Sequence, residues 1–235
     1  MKNLNNKLTK LYSDNWLDFA RKLEEIKESE LTVKPTNPLL ITVQDEYKYI
    51  NADIRVMIFG QETNDWGGDF MNDIKHIISI YEDFFSSKHC FKYGGQFWNG
   101  ISRFLKMLEL QNPNKSIEFI WNNVIKVGKS GKKGKPPEYI YHVEKENFRI
   151  LNEEMQILQP NLVLFLSGPY YDNILIEQFK DIGFQNIEEY QQKQIAKVNL
   201  LNCDSAFRTY HPNYLWRNGI DNYFEAILKE TKIRM

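Results

Sequence analysis

Cysteine is scarce in this sequence: Cys90 and Cys203 are the only two among 235 residues. Two thiols are too few for a disulfide scaffold, a four-cysteine zinc site or an iron-sulfur cluster, so both are read as buried thiols. No metal and no other cofactor is expected. Long apolar runs are missing too, and none approaches the length of a membrane-spanning helix. The opening stretch MKNLNNKLTKLYSDNWLDF breaks its apolar residues with Lys, Asn and Asp, unlike the continuous apolar segment of a secretory signal. These absences lead to the expectation of a cytoplasmic protein without membrane attachment. Charge of one sign is lacking as well. A formal net charge of −1 gives no overall attraction to nucleic acid, so any such binding must come from locally clustered Lys and Arg. Internal repeats and a GxGxxG dinucleotide fingerprint are absent.

What is present suits a single folded domain over residues 1–235, expected as a monomer. Leu8, Leu11, Tyr12, Trp16, Phe19, Ala20 and Leu23 recur at intervals of three and four, which predicts an amphipathic helix over residues 4–26. This helix opens an N-terminal extension, residues 1–50. The two prolines of KPTNPLL then break any helix and predict an irregular segment. Short apolar runs follow at residues 56–59, 119–125, 162–166 and, more weakly, within 206–210. Helical patterns at residues 98–110 and 145–158 alternate with them, and a closing helix is expected over 220–233. Continuous apolar strands imply burial on both faces. The expectation is therefore an α/β fold, a three-layer α/β/α sandwich around a short, mainly parallel four-stranded sheet. An additional strand at residues 197–201 is possible. In such sheets functional groups sit on loops beyond the carboxyl ends of the strands.

Two such loops carry chemistry. The first, GQETNDWGG (residues 60–68), follows the strand RVMIFG. Gly60 lets the backbone approach a ligand closely, the next N–H groups can face an oxygen, and the Glu62 carboxylate is placed to orient a water. The second, TYHPNYLWRN (residues 209–218), sets His211 before a proline and a loop rich in aromatic and amide groups. That suits a donor to developing negative charge beside a surface that probes bases. Taken singly, the first also suits a polar turn and the second a structural histidine. A third stretch, KVGKSGKKGKPP (residues 126–137), places five lysines among glycines. It suits phosphate contact or a solvated loop, and its spacing and Pro136 exclude a Walker A motif. His76, His89 and His142 share no metal-ligand spacing.

Read together, the first two motifs resemble those of the uracil-DNA glycosylase superfamily. Its members carry GQDPY, GEAPG or GINPG after their first strand and HPSPL or TYHPSxLLRN near the end, and GQETN and TYHPNYLWRN fit those slots. WNNVIKV looks like the family strand LLLNTVLTV or YITNVVK, which presents an Asn amide to the uracil edge. GGQFWNGISRFLKML resembles the family's FW-containing or FVGxAGxLL helix, and LQPNLVLFLSG its LxPxxVxxLG strand. The likeness covers residues 55–218, leaving a closing segment at 219–235. The final motif is closest to the iron-sulfur, thermophile-type branch, but the cluster cysteines are missing. Glu62 stands where the family has Asp, Asn or Ala, and Thr63 where it usually has Pro.

The resemblance implies hydrolysis of the N-glycosidic bond of uracil, or a related deaminated or damaged base, flipped out of DNA. It implies that Asn123, or Asn122 in the other register, reads the base edge while Gly60 and Gln61 bind the base, the Gln61 and Glu62 backbone holding a carbonyl. Phe91 or Tyr93 stacks on the ring, with Phe97 as the further choice. His211 donates to the leaving base, and Glu62 positions water with Asn64. Asn213, Tyr214, Leu215 and Trp216 lie where the family carries its wedge, and Arg217, Lys129 and Lys132 are placed for DNA phosphates. The alternative is a catalytically silent module of the same fold that binds a nucleobase, DNA or a protein partner. An unrelated α/β enzyme acting on a small nucleotide or sugar is a second one.

Overall fold

The apolar stripe of the N-terminus folds as two helices rather than one. In the computed structural model, which describes residues 3–86, 89–179 and 181–233, α1 spans Leu4–Asp14 and α2 spans Leu17–Glu28. Asn3 caps α1 by accepting the Asn6 N–H, and the break falls where the Asn15 N–H turns back to the Tyr12 carbonyl. The stripe survives it: Leu8, Tyr12, Phe19, Ala20 and Leu23 are all buried. The proline segment expected to be irregular forms a short strand, β1 (Pro35–Pro38). Prolines stand at its two ends, where the missing N–H groups cost least.

The main sheet has six strands, not four. Strands β2 (Ile54–Glu62), β3 (Ile117–Ile125), β5 (Leu162–Phe165) and β8 (Ser205–Thr209) are its parallel part. Two more, β7 (Ile195–Asn199) and β6 (Gly183–Asn186), run antiparallel beyond β8 and make the sheet mixed, in the order β3-β2-β5-β8-β7-β6. β7 begins two residues before the possible strand at 197–201. β6 was invisible to periodicity because it is an edge strand of four residues, GFQN, with Phe184 as its one large apolar side chain. The three-residue β4 (Val127–Lys129) pairs antiparallel with β1 and ties the lysine-rich stretch to the N-terminal extension.

Residues 56–59 are fully buried in succession, so helices cover both faces of β2. The helices after α2 are α3 (Glu46–Asn51), α4 (Ile74–Phe85), α5 (His89–Lys92), α6 (Gly95–Gln111), α7 (Glu138–Asn147), α8 (Leu151–Leu158), α9 (Asp172–Gln178), α10 (Pro212–Leu215) and α11 (Ile220–Glu230). The pattern at residues 145–158 resolves into two helices, parted at 148–150. α1 packs on α8 and α2 on α7, while α10 and α11 pack on α6. Among the described residues no helix is long and apolar enough to cross a membrane.

Candidate active site

The candidate site is built at the carboxyl ends of β2 and β3. Gly60 lies opposite Asn123 in the parallel register. A Cβ on Gly60 would stand 2.4 Å from Asn123 Oδ1 and 3.0 Å from Phe97 Cζ, so the strand passes only because residue 60 has no side chain. Asn123 is buried and its Nδ2 has no hydrogen-bond partner among the described residues. A buried amide donor left unpaired costs on the order of 1–3 kcal/mol, so such groups are few in a folded protein. The ring of Phe97, on α6, stacks on the ring of His211 with centroids 5.4 Å apart and planes at 18°. Asn123, Phe97 and His211 thus come from three distant segments to one place beside Gly60.

His211 is held in one protonation state. It caps α10, with Nδ1 accepting the Asn213 N–H at 3.1 Å. A nitrogen that accepts carries no proton, so the neutral ring bears its hydrogen on Nε2. Burial pushes the His211 pKa down to about 4. The ring is therefore a neutral donor at physiological pH, aimed by its own helix cap.

Glu62 ends β2, and burial raises its carboxyl above the usual carboxylate range. The Tyr171 hydroxyl donates to Glu62 Oε2 and opposes that rise, as do the charges of Lys129 and Lys135. Next to it, Gln61 Nε2 donates to the Ser167 carbonyl at 2.8 Å, joining the ends of β2 and β5. Thr63 is buried and donates to the Lys126 carbonyl at 3.5 Å. Asn64 is exposed and turns away from Glu62 to accept the Gly134 N–H at 3.4 Å, while Asp65 accepts the Gly131 N–H at 2.8 Å. Those two bonds pin the lysine loop beside the pocket. Lys129 is half-buried there and Lys132 exposed.

Several expected residues lie elsewhere. Adjacent strand residues face opposite ways, and Asn122 faces a buried polar network. Its Nδ2 donates to Glu154 at 2.8 Å, and its Oδ1 accepts from Lys126 Nζ at 3.0 Å and from the Asn123 N–H at 2.9 Å. Lys126 pairs with Glu154 at 2.8 Å, both buried, and Tyr12 from α1 donates to the same carboxylate at 2.8 Å. One of the five lysines is thus internal, and the N-terminal extension reaches the strand that carries Asn123. Phe91 packs against Trp98 and Phe119, and Tyr93, 72% exposed, meets the edge of Phe84. Phe97 is the aromatic ring beside His211. Leu215 is 0% exposed and cannot act as a projecting wedge. Pro212 and Leu215 are the buried residues of α10, and Pro212 sits so close to α6 that a Cβ on Gly100 would stand 2.6 Å from it. Asn213, Tyr214, Trp216, Arg217 and Asn218 are the exposed residues of that motif, with Trp216 Nε1 donating to the Gln96 carbonyl and Arg217 Nε to the Asn213 carbonyl, each at 3.1 Å. Tyr171 and Ser167 were not singled out from the sequence, although SGPYY directly follows a buried strand.

A family model described as the uracil DNA glycosylase superfamily matches residues 47–232. The chain belongs to the uracil DNA glycosylase superfamily. No curated protein matches it. The superfamily match takes in Gly60, Glu62, Phe97, Asn123, Tyr171 and His211, and leaves α1, α2 and β1 outside. Among the described residues no three His, Cys, Asp or Glu side chains converge as a metal site.

Proposed function

We propose that this protein hydrolyses the N-glycosidic bond of uracil, or of a related deaminated base, flipped out of DNA. The observation that carries the reading is the buried, unpartnered Asn123 amide placed beside the His211–Phe97 stack. An amide offers one donor and one acceptor side by side, the complement of the O4 and N3–H edge of uracil. Phe97 supplies an aromatic ring beside it, and the absence of a Cβ at Gly60 lets Asn123 and Phe97 close in on the strand.

Bond cleavage moves the C1′–N1 electron pair onto the base, where charge gathers on O2. The His211 Nε2–H donates to that oxygen. A neutral imidazole donates a hydrogen bond to the developing anion without transferring its proton, so the base leaves as its anion. Water then adds to C1′, and Glu62 takes its proton, with the Tyr171 hydroxyl holding the carboxylate in place. Outside the pocket Lys129, Lys132 and Arg217 meet phosphates.

The test is a panel of oligonucleotides containing uracil, hypoxanthine, xanthine or a thymine mismatch, scored for abasic sites. Uracil strands are expected to be cut. His211→Ala is expected to cut them slower by on the order of a hundred-fold or more, since that is the usual effect of removing one such donor. Absence of cleavage throughout the panel, or cleavage equally fast in the variant, overturns the assignment.

A further inference from the structure

Strand β1 lies outside the superfamily match, yet it is bonded on both sides to stretches that surround Glu62. On one side it pairs with β4, Pro35 opposite Lys129 and Pro38 opposite Val127. The Lys34 carbonyl accepts the Ser130 N–H there at 3.0 Å, and the Leu39 N–H donates to the Lys126 carbonyl at 2.9 Å. On the other side Thr36 bridges to Asp69, the Pro35 carbonyl accepts the Phe70 N–H at 3.0 Å, and the Asn37 N–H donates to the Gly68 carbonyl at 3.3 Å. The loop after β2 and the lysine loop are thus joined through a strand from a distant part of the chain.

Two fully buried polar side chains make the joint specific. Asn37 uses both ends of its amide on the first loop, Nδ2 donating to the Gly67 carbonyl at 3.0 Å and Oδ1 accepting the Met71 N–H at 2.8 Å. Thr36 Oγ1 accepts the Gly128 N–H on the second at 2.8 Å. Gly128 in turn supports Thr63: a Cβ on Gly128 would stand 2.4 Å from the Thr63 carbonyl oxygen, so the two backbones touch. Thr63 directly follows Glu62. A threonine does not fix its own φ as a proline does, and the direction in which the chain leaves Glu62 is set by what Thr63 rests against. The contacts therefore run from Thr36 through Gly128 and Thr63 to Glu62. Buried polar side chains paired in this way hold one arrangement of the backbone.

We propose that β1 is a clamp on the loop that carries Glu62, and that Thr36 and Asn37 are positioning residues for its carboxylate. The task of that carboxylate rests on the glycosylase reading, but the clamp can be tested with and without excision. Thr36→Val keeps the shape and removes the acceptor for the Gly128 N–H, whereas Thr36→Ser keeps the acceptor. Asn37→Ala loosens the other side of the strand, so the outcome does not hang on one variant folding. With urea unfolding to show that each protein is folded, Thr36→Val and Asn37→Ala are expected to lower kcat for uracil excision by about 10- to 100-fold, with KM little changed, as for a reacting group displaced by about 1 Å. Thr36→Ser is expected to excise as wild type does. In a Glu62→Gln background the same substitutions should remove nothing further, because a residue that acts through Glu62 has no effect without it. Equal losses in both backgrounds, or a Thr36→Ser variant as slow as Thr36→Val, overturns the proposal. Carbon-13 spectra of the labelled Glu62 carboxyl read the clamp without catalysis. Burial is the largest influence on that carboxyl and holds it above the usual range against Tyr171, Lys129 and Lys135. Admitting water should bring its titration midpoint down in Thr36→Val and leave it in place in Thr36→Ser. A midpoint unmoved in Thr36→Val overturns the clamp whether or not uracil is excised. A midpoint that moves, in a protein that excises nothing, leaves the clamp standing and removes the glycosylase reading.

Discussion

Acidification is the perturbation that most directly interrogates His211. In the folded protein its pKa falls from 6.5 to about 4, whereas the unfolded chain takes up its proton near the ordinary value. The proton therefore binds the unfolded state first, and stability is lost as pH drops from 6.5 towards 4; above 6.5 both states are neutral and the full stability is present. At roughly 1.4 kcal/mol per pKa unit, the loss comes to about 3 kcal/mol, an upper bound because the half-buried ring keeps some contact with solvent. Carboxylates also weaken the fold in acid, so the measurement is a difference between two proteins. His211→Asn retains an oxygen able to accept the Asn213 N–H and removes the titrating group. Urea unfolding of both proteins at intervals from pH 8 to pH 4 should give parallel curves above 6.5 and a wild-type curve that falls faster below it. Nitrogen-15 imidazole spectra should show His211 protonated at Nε2 alone throughout the neutral range. A ring that titrates near 6.5, or that carries its proton on Nδ1, would refute both the burial argument and the neutral-donor chemistry built on it.

Two further outcomes concern the groups around it. Gly60→Ala puts a methyl group 2.4 Å from Asn123 Oδ1, and overpacking of this kind costs about 1–3 kcal/mol; urea unfolding should show that loss, and uracil excision should fall with it. An alanine variant as stable and active as wild type would show that the strands can part freely. Tyr171→Phe removes the hydroxyl that opposes the rise in the Glu62 pKa, so the acid limb of the kcat/KM profile, which requires the carboxylate, should move to higher pH. An unmoved limb would mean that Glu62 is not the group being titrated.

The sequence alone was enough for the parallel core and for the ends of the site. Buried parallel strands declare themselves as apolar runs such as VMIF and LVLF, and a glycine or a His-Pro at a strand end is a local signal. Membership of the superfamily was legible from GQETN and TYHPNYLWRN for the same reason: loops that hold reacting groups keep their residue types in order along the chain. What escaped was whatever depends on a neighbour distant in sequence. The edge strand β6 has one large apolar side chain, Phe184, and exists because β7 pairs with it.

Within WNNV nothing along the chain separates Asn122 from Asn123; the decision came from α8 and α1, whose Glu154 and Tyr12 engage Asn122 and leave its neighbour to face Gly60. Packing of α10 on α6 likewise turned Leu215 inward, and of the three candidate rings it is Phe97 that stacks on His211. Periodicity records which residues shun water, and a motif records which chemistry is present. The direction in which a polar side chain points is set by the groups it meets across the fold, and those are brought together only by tertiary structure.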